Sequence, residues 1–501
     1  MKNNNIHYSN SLISKMCHKN HIHFVGIGGI GMSGIAEILL KNGYIISGSD
    51  LESTPITKKL ANLGAKIFSK HSKKNIKNAN FIVISSAISP FNPEIIQAKA
   101  LKIPIIPRGK MLSEIIKDKY GIAVSGTHGK TTTSSIIFNI FDNNNLDPTL
   151  ITGGYLQELN NNVQLGKSSY CIIEADESDA SLLYLKPTIA VLTNIDNDHL
   201  DNYNGNFKNL KNTFIKFINN LPFYGTAIVC IDDNNIRNII SSIHCNIVTY
   251  GFSLDADIKI DKYKQNKFSS YFRITKNKKL VLNAILNIPG KHNALNATAA
   301  IAVAIQEKIS NAGIAKSLKK FKGVKRRFEL CKKFFICCSK NKKNKITIIK
   351  DYGHHPNEIL ASIQTARSGW PKKKLIMIFQ PHRYTRMHYL FKQFINILLK
   401  VDELLILKVY SSGEKIISGS DSLALYQELS KYREKSVTLI LKNNKIFEIL
   451  KNKLSGNDLL LIQGAGNINV ISNKYIIKNF QILEKEKYYD RKSSSTTRRN
   501  I

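Results

Sequence analysis

Acidic residues are scarce in this chain: 36 Asp and Glu stand against 73 Lys and Arg in 501 residues, a formal net charge of +37. Tryptophan occurs once and cysteine seven times. Cys17, Cys171, Cys230, Cys245, Cys331, Cys337 and Cys338 are scattered, odd in number and never spaced Cys-x-x-Cys. That argues against a disulfide framework and a cysteine zinc site, and fits thiols in a reducing compartment. No apolar run approaches the roughly 18 residues that span a bilayer. The polar first 20 residues also lack the apolar centre of a secretory signal. A cytoplasmic protein without membrane insertion is the expectation. The positive excess raises nucleic acid as a partner, but Lys, Asn and Ile are abundant everywhere, including residues 143–145 and 340–345. Without aromatic interleaving or a nucleic-acid module, compositional bias is the better reading, with no specific nucleic acid expected and some benefit in attracting an anionic substrate.

The length suggests roughly three domains of about 150 residues, and the pattern supports an α/β class. Residues 22–26, 44–47, 65–68, 81–85 and 103–106 read as strands, with helices at 30–41, 55–63 and 93–100. Short apolar strands alternating with helices imply a parallel sheet with crossovers. A second α/β unit starts at Ile122, with strands at 170–174, 189–193 and 226–230, a helix near 207–219, a β-rich stretch at 245–288 and an alanine-rich helix at 293–306. A basic, loop-like stretch at 323–328 suggests a hinge. A third α/β unit has strands near 346–350, 374–379, 403–408 and 458–463. The resulting divisions are an extension at 1–20, domains at 21–110, 111–325 and 326–483, and a disordered basic tail at 484–501.

Two glycine-rich loops follow strands. Gly26-Ile27-Gly28-Gly29-Ile30-Gly31 opens a helix, and Asp50 ends the next strand at the spacing of a ribose-binding acid, the dinucleotide pattern. Alone, it admits a nicotinamide-dependent oxidoreductase. Gly126-Thr127-His128-Gly129-Lys130-Thr131-Thr132 resembles a phosphate loop, in which N–H groups and a helix N-terminus cradle phosphates and the lysine reaches the terminal ones. It departs from the usual spacing, because Val124 stands where the first glycine belongs. Two adjacent nucleotide sites suggest one nucleotide as fuel and another as part of a substrate.

Carboxylates follow a strand in Glu174-Ala175-Asp176-Glu177-Ser178-Asp179, suited to a hard Mg²⁺ beside phosphates. Thr193-Asn194-Ile195-Asp196-Asn197-Asp198-His199 repeats that placement. Asp351-Tyr352-Gly353-His354-His355-Pro356 and Gln380-Pro381-His382-Arg383-Tyr384-Thr385-Arg386 each follow a strand of the third unit, where ligands of open parallel sheets sit. Arg383 and Arg386 suit a carboxylate or a phosphate.

Over roughly residues 20–480 these motifs, with His292-Asn293-Ala294-Leu295-Asn296-Ala297, resemble in kind and order the Mur ligases, ATP-dependent amide-forming enzymes of peptidoglycan precursor synthesis. The 380–386 motif points to the alanine-adding branch, with the murein-tripeptide-recycling branch as the alternative. The resemblance implies three domains: Rossmann-like, central P-loop ATPase-type and Rossmann-like. It implies a UDP-sugar site at Gly26, Gly28, Gly29, Gly31, Asp50, His71 and Arg108. ATP would contact Gly126, Thr127, His128, Gly129, Lys130, Thr131, Thr132, His292, Asn296, Arg327 and Asp351. Thr131, Glu174 and His199 would surround Mg²⁺, with Mn²⁺ as the alternative. Tyr352, His354, His382, Arg383 and Arg386 would hold the amino acid, and Lys130, His199, Arg383 and Arg386 would serve catalysis. The implied substrates are UDP-N-acetylmuramate and L-alanine, the implied oligomeric state monomer or homodimer. The lysine-rich stretch at 332–345 looks expanded relative to the family.

Overall fold

The computed structural model describes residues 20–157, 161–337, 343–433 and 436–480. The tail from 484, and all of the N-terminal extension except residue 20, lie outside the described residues. The chain falls into two compact units. The first holds residues up to 263 with 271–287 and 292–324; the second holds the remainder.

The first unit begins with a five-stranded sheet of β1 (His21–Val25), β2 (Ile45–Ser49), β3 (Lys66–Phe68), β4 (Phe81–Ile84) and β5 (Ile105–Pro107). All pairs are parallel, in the order β3-β2-β1-β4-β5. Helices α1 (Ile30–Lys41), α2 (Pro55–Asn62) and α3 (Pro93–Ala100) make the crossovers, followed by α4 (Arg108–Ile116). Their starts are encoded locally. Thr54, just ahead of Pro55, forms a reciprocal capping box with Thr57 in the first turn, and Asn92, just ahead of Pro93, accepts from the Glu94 N–H. The expected division at residue 110 falls inside α4.

A ten-stranded sheet follows. Its parallel centre is β6 (Tyr120–Ser125), β9 (Tyr170–Glu174), β10 (Ile189–Leu192), β11 (Thr226–Cys230) and β12 (Asn246–Gly251). On one side lie β7 (Thr149–Ile151) and β8 (Val163–Gln164); on the other, β13 (Ile258–Asn266), β14 (Ser269–Lys276) and β15 (Lys279–Leu286). The main helices are α5 (Lys130–Asn143), α6 (Phe207–Asn219), α7 (Asn234–Ile239), α8 (Lys291–Gln306) and α9 (Asn311–Lys320). Asn143 closes α5, its side chain donating to the Asn139 carbonyl at 2.8 Å.

The second unit has a six-stranded sheet ordered β16-β17-β21-β18-β19-β20. These are β16 (Glu329–Cys337), β17 (Lys343–Asp351), β18 (Lys374–Phe379), β19 (Glu403–Leu407), β20 (Val437–Ile440) and β21 (Asp458–Gln463). The described part of the lysine-rich stretch therefore lies in the edge strand β16 and the start of β17, with which it pairs antiparallel. Helices α10 (Pro356–Gly369), α11 (Tyr384–Leu398), α12 (Ser422–Arg433) and α13 (Ile446–Lys453) cover the faces, with α14 (Ile468–Ser472) after β21.

The strand period decides which face each residue serves. Leu375, Met377 and Phe379 of β18, with Leu459 and Leu461 of β21, join a core containing Ile359, Ile363, Phe394 and Leu425. Ile376 and Ile378, with Leu460 and Ile462, join the opposite core around Ile446 and Leu450. Both faces are dry, so the strands read as unbroken apolar runs rather than alternation. Phe394 is fully buried in the first of these cores. Phe394→Ala is expected to destabilise the protein by about 3–5 kcal/mol, seen as a lower urea midpoint for the second unit; an unchanged midpoint would mean that the core collapses without cost.

Candidate active site

In the first sheet the glycine loop leaves β1 beside the end of β2. The Gly28 N–H donates to Asp50 Oδ2 at 2.8 Å, closing the loop against the acid after β2. A Cβ placed on Gly31 would lie 2.7 Å from Arg108 Nη1, so the start of α4 brings Arg108 to the same loop. His71 Nδ1 lies 2.9 Å from Ser49 Oγ and 3.1 Å from Glu94 Oε2. Gly26, Gly28, Gly29, Gly31, Asp50, His71 and Arg108 thus gather near the carboxyl ends of β1 and β2.

Beneath His71 lies a network that no motif announces. Glu94 is fully buried and accepts from Ser49 Oγ at 2.6 Å and Asn75 Nδ2 at 2.6 Å, with His23 Nε2 at 3.5 Å. Burial works to raise its pKa. Pairing with His23 and hydrogen bonds from Ser49 and Asn75 outweigh burial and hold it down to about 2.

The phosphate loop leaves β6, and its shortened spacing has a structural reason. Val124 and Ser125 are still strand, Val124 pairing with Glu174, so the turn begins only at Gly126. Gly126 (φ +119°) and Gly129 (φ +85°) take backbone conformations that favour glycine. A Cβ on Gly126 would lie 2.2 Å from Thr193 Oγ1, and one on Gly129 2.5 Å from Asn296 Oδ1. Asn296 of α8 therefore adjoins the loop, with His292 one turn earlier. The 193–199 segment buttresses the loop. The His128 N–H donates to Asn194 Oδ1 at 2.8 Å, Thr193 Oγ donates to the His128 carbonyl at 2.6 Å, and His128 Nε2 lies 2.9 Å from Asp196 Oδ2.

Lys130 heads α5 and folds back on the loop. Its ammonium donates to the Gly126 carbonyl at 2.6 Å and to both Glu177 oxygens at 2.9 and 2.7 Å. Burial works to lower the lysine pKa, but Glu177, Asp176 and Glu174 more than compensate and raise it. Burial pushes the Glu177 carboxyl up to about 7, Lys130 opposing and Asp176 adding to the push. For Asp176 burial is overcome by Lys130 and Arg108, which hold it down to about 2. Arg108 Nη2 is 2.9 Å from Asp176 and 3.5 Å from Asp179, tying the glycine-loop site to the acidic loop.

Glu174 accepts from Thr152 Oγ1 and from the Gly153 N–H. A Cβ on Gly153 would lie 3.1 Å from Glu174 Oε2, and one on Gly154 2.7 Å from Thr131 Cγ2, so both residues border one glycine turn. His199 starts a short turn joined to the acidic loop by Asn202 Nδ2 donating to the Ser178 carbonyl at 2.5 Å.

In the second unit Asp351 is buried at the end of β17. Its carboxylate accepts from the Phe328 N–H (2.8 Å), the Gly353 N–H (2.8 Å), Ser362 Oγ (3.1 Å) and Gln463 Nε2 (2.8 Å). Arg327 Nη1 is 3.3 Å from Glu358, and its guanidinium lies 5.0 Å from the Tyr352 ring centre. Rings continue from Tyr352 to His354 (5.5 Å), His382 (5.5 Å) and Tyr410 (5.5 Å, stacked). Arg386 is buried, with Nη1 3.1 Å from His382 Nδ1. Arg326, Tyr410, Glu414 and Gln463, absent from the sequence reading of the site, complete this cluster; three are single loop residues and Gln463 ends β21, so no motif reveals them.

Profiles of three domains match the chain: Mur ligase family, catalytic domain, at residues 21–120; Mur ligase middle domain at 124–304; and Mur ligase, glutamate ligase domain, at 326–466. The UDP-N-acetylmuramate–L-alanine ligase of Buchnera aphidicola subsp. Baizongia pistaciae is 58% identical over 470 residues, 94% of this chain and 97% of that one. The chain belongs to the Mur ligase family. The corresponding ligase of Buchnera aphidicola subsp. Acyrthosiphon pisum (strain Tuc7) is 54% identical, again over 94% of this chain and 97% of the relative. A crystal structure of the UDP-N-acetylmuramate–alanine ligase of Thermotoga maritima matches with a TM-score of 0.77 at 29% identity, covering 92% of this chain and 99% of that one. A murein peptide ligase from Psychrobacter arcticus shares the fold at 20% identity and TM-score 0.66, over 91% and 98% of the chains. Family membership makes the protein an ATP-dependent ligase and displaces the oxidoreductase reading of the first glycine loop. Among the described residues no helix is long and apolar enough to cross a membrane.

The Glu94 network makes a pH prediction. Its carboxyl sits lower in the folded than in the unfolded chain, so its stabilisation is full above the unfolded value of 4.5 and is lost as pH falls toward about 2. Urea titrations of wild type and Glu94→Gln should differ by roughly 3 kcal/mol at pH 7. The gap should narrow steadily between pH 5 and pH 3; a constant gap would refute the assignment.

Proposed function

We propose that this enzyme joins L-alanine to the lactyl carboxylate of UDP-N-acetylmuramate at the expense of ATP, in the cytoplasm, through an acyl phosphate. The observation that carries the reading is Arg108. One guanidinium adjoins the glycine loop of the first sheet and pairs with the acidic loop beside Lys130, so a substrate anchored on the first sheet would present its carboxylate to the nucleotide site. The division of labour follows residues 21–110 for UDP-sugar, 111–325 for ATP and 326–483 for the amino acid.

In the chemical step a carboxylate oxygen of the sugar attacks the γ-phosphorus and the bond to the β-phosphate oxygen breaks, giving acyl phosphate and ADP. Lys130 would exchange the carbonyl and Glu177 for phosphate oxygens, offsetting charge as it shifts to the leaving ADP. The amine of L-alanine then attacks the acyl carbon, loses a proton and expels phosphate. Arg383 and Arg386 would hold the alanine carboxylate, with Tyr352, His354 and His382 around it. Asp351, Arg327, His292 and Asn296 are assigned to the nucleotide. Thr131 and Glu174 offer the hard oxygens that Mg²⁺ and Mn²⁺ prefer, with the His199 imidazole as the third candidate ligand. Bound there, the ion would offset phosphate charge.

ADP release should require both UDP-N-acetylmuramate and L-alanine; release independent of either would refute the proposal. Lys130→Ala should lower turnover by about 10²–10³-fold or more. Glu177, whose carboxyl titrates near 7, can take a proton when its partner is lost, so the variant should keep its wild-type circular dichroism. Near-normal turnover would remove the phosphate loop from the mechanism.

A further inference from the structure

The loop after β19 carries no motif, yet it is built into the cluster around Arg383. The Arg383 N–H donates to the Tyr410 carbonyl at 2.9 Å, and the Tyr410 N–H to the Pro381 carbonyl at 2.9 Å. His382 and Tyr410 thereby form a parallel bridge that prolongs the β18–β19 pairing beyond both strands. The Tyr410 ring stacks on His382, and a Cβ on Gly466 would lie 2.6 Å from Tyr410 Cγ. The segment is thus fixed between the 380–386 motif and the loop after β21.

Four residues further, Glu414 accepts from Arg383 Nε, from the Thr385 N–H at 3.0 Å and from Thr385 Oγ1 at 2.8 Å. Arg383 precedes α11 with φ +69°, a conformation rare for a side chain of this size, and provides no side-chain cap. Such a backbone persists only where its surroundings over-determine it. Glu414 does so from outside the helix: it supplies the N-terminal acceptor that Arg383 does not, and it orients the guanidinium through one of its five N–H donors.

We propose that Glu414 is the positioning residue for Arg383 in amino-acid recognition, and that Tyr410 serves His382 in the same way. The proposal rests on the reading that this cluster holds L-alanine. A carboxylate bound by a planar fork tolerates little misorientation, so loss of the Nε anchor should weaken amino-acid binding selectively.

The test compares Glu414→Ala, Glu414→Gln and Arg383→Ala in the full-length enzyme, with KM for each of the three substrates, kcat and the thermal midpoint. Glu414→Ala should raise KM for L-alanine at least about tenfold and leave KM for ATP and UDP-N-acetylmuramate within about twofold. Glu414→Gln, which keeps an oxygen acceptor, should lie between it and wild type, and carries the same test if the alanine variant does not fold. An increase in KM for L-alanine with Arg383→Ala but not with the Glu414 variants overturns the proposal and leaves the amino-acid site standing. No increase in any variant overturns both. A parallel rise in all three KM values with a lowered midpoint means that Glu414 is a helix cap only, and also overturns it.

Discussion

Two parallel strands can be joined only by a crossover that carries the chain back along the face of the sheet. Repeated, this covers both faces with helices and leaves one edge, the carboxyl ends of the strands, where backbone groups and polar side chains meet solvent. In this protein the glycine loop follows β1, the phosphate loop β6, the acidic loop β9 and the Asn-Ile-Asp loop β10. The clusters beginning at Asp351 and Gln380 follow β17 and β18. The same constraint dries the strands: alternate residues of β18 and β21 enter opposite cores, leaving no strand face for chemistry.

Polar groups at those edges are drawn partly out of water, and a strongly cationic chain must then ration its carboxylates. Several of its few acidic residues are assigned to particular cations: Glu177 to Lys130, Asp176 and Asp179 to Arg108, Glu358 to Arg327 and Glu414 to Arg383. The environments separate their titrations. Two basic neighbours hold Asp176 near 2, whereas Glu177, fully buried next to that charge, is pushed to about 7. Adjacent acids with such different values form one charged and one proton-accepting partner around a single lysine.

The motifs were legible because strand, turn and helix each impose a pattern, and glycine is diagnostic where φ is positive. Strands 170–174, 226–230, 374–379 and 458–463 and helices 30–41, 93–100 and 207–219 match the sequence reading to the residue. The edge strand β16 was obscured because its lysines break the apolar pattern. Glu94 was invisible for another reason. It lies on a helix among ordinary residues, and only the folded sheet brings His23, Ser49, Asn75 and His71 to it from separate segments. Glu414 is the loop counterpart, 31 residues from the arginine it holds.

Arg108 and Arg383 show what these long-range partners accomplish. Both begin or precede a helix at a sheet edge, and both are held by carboxylates from another segment. A long cationic side chain in water samples many rotamers, and ordering it when a ligand arrives weakens binding. A carboxylate already in contact fixes the guanidinium before the ligand appears and offsets the repulsion between neighbouring cations. The restraint remains useful only while donor capacity is left over. Arginine meets that requirement through its five N–H groups, whereas lysine, a point charge, must surrender its counter-ion to the incoming anion. The two kinds of cation therefore suit different tasks: in the proposed mechanism the arginines would orient substrates at the edges, and the single lysine of the phosphate loop would change partners when phosphate binds.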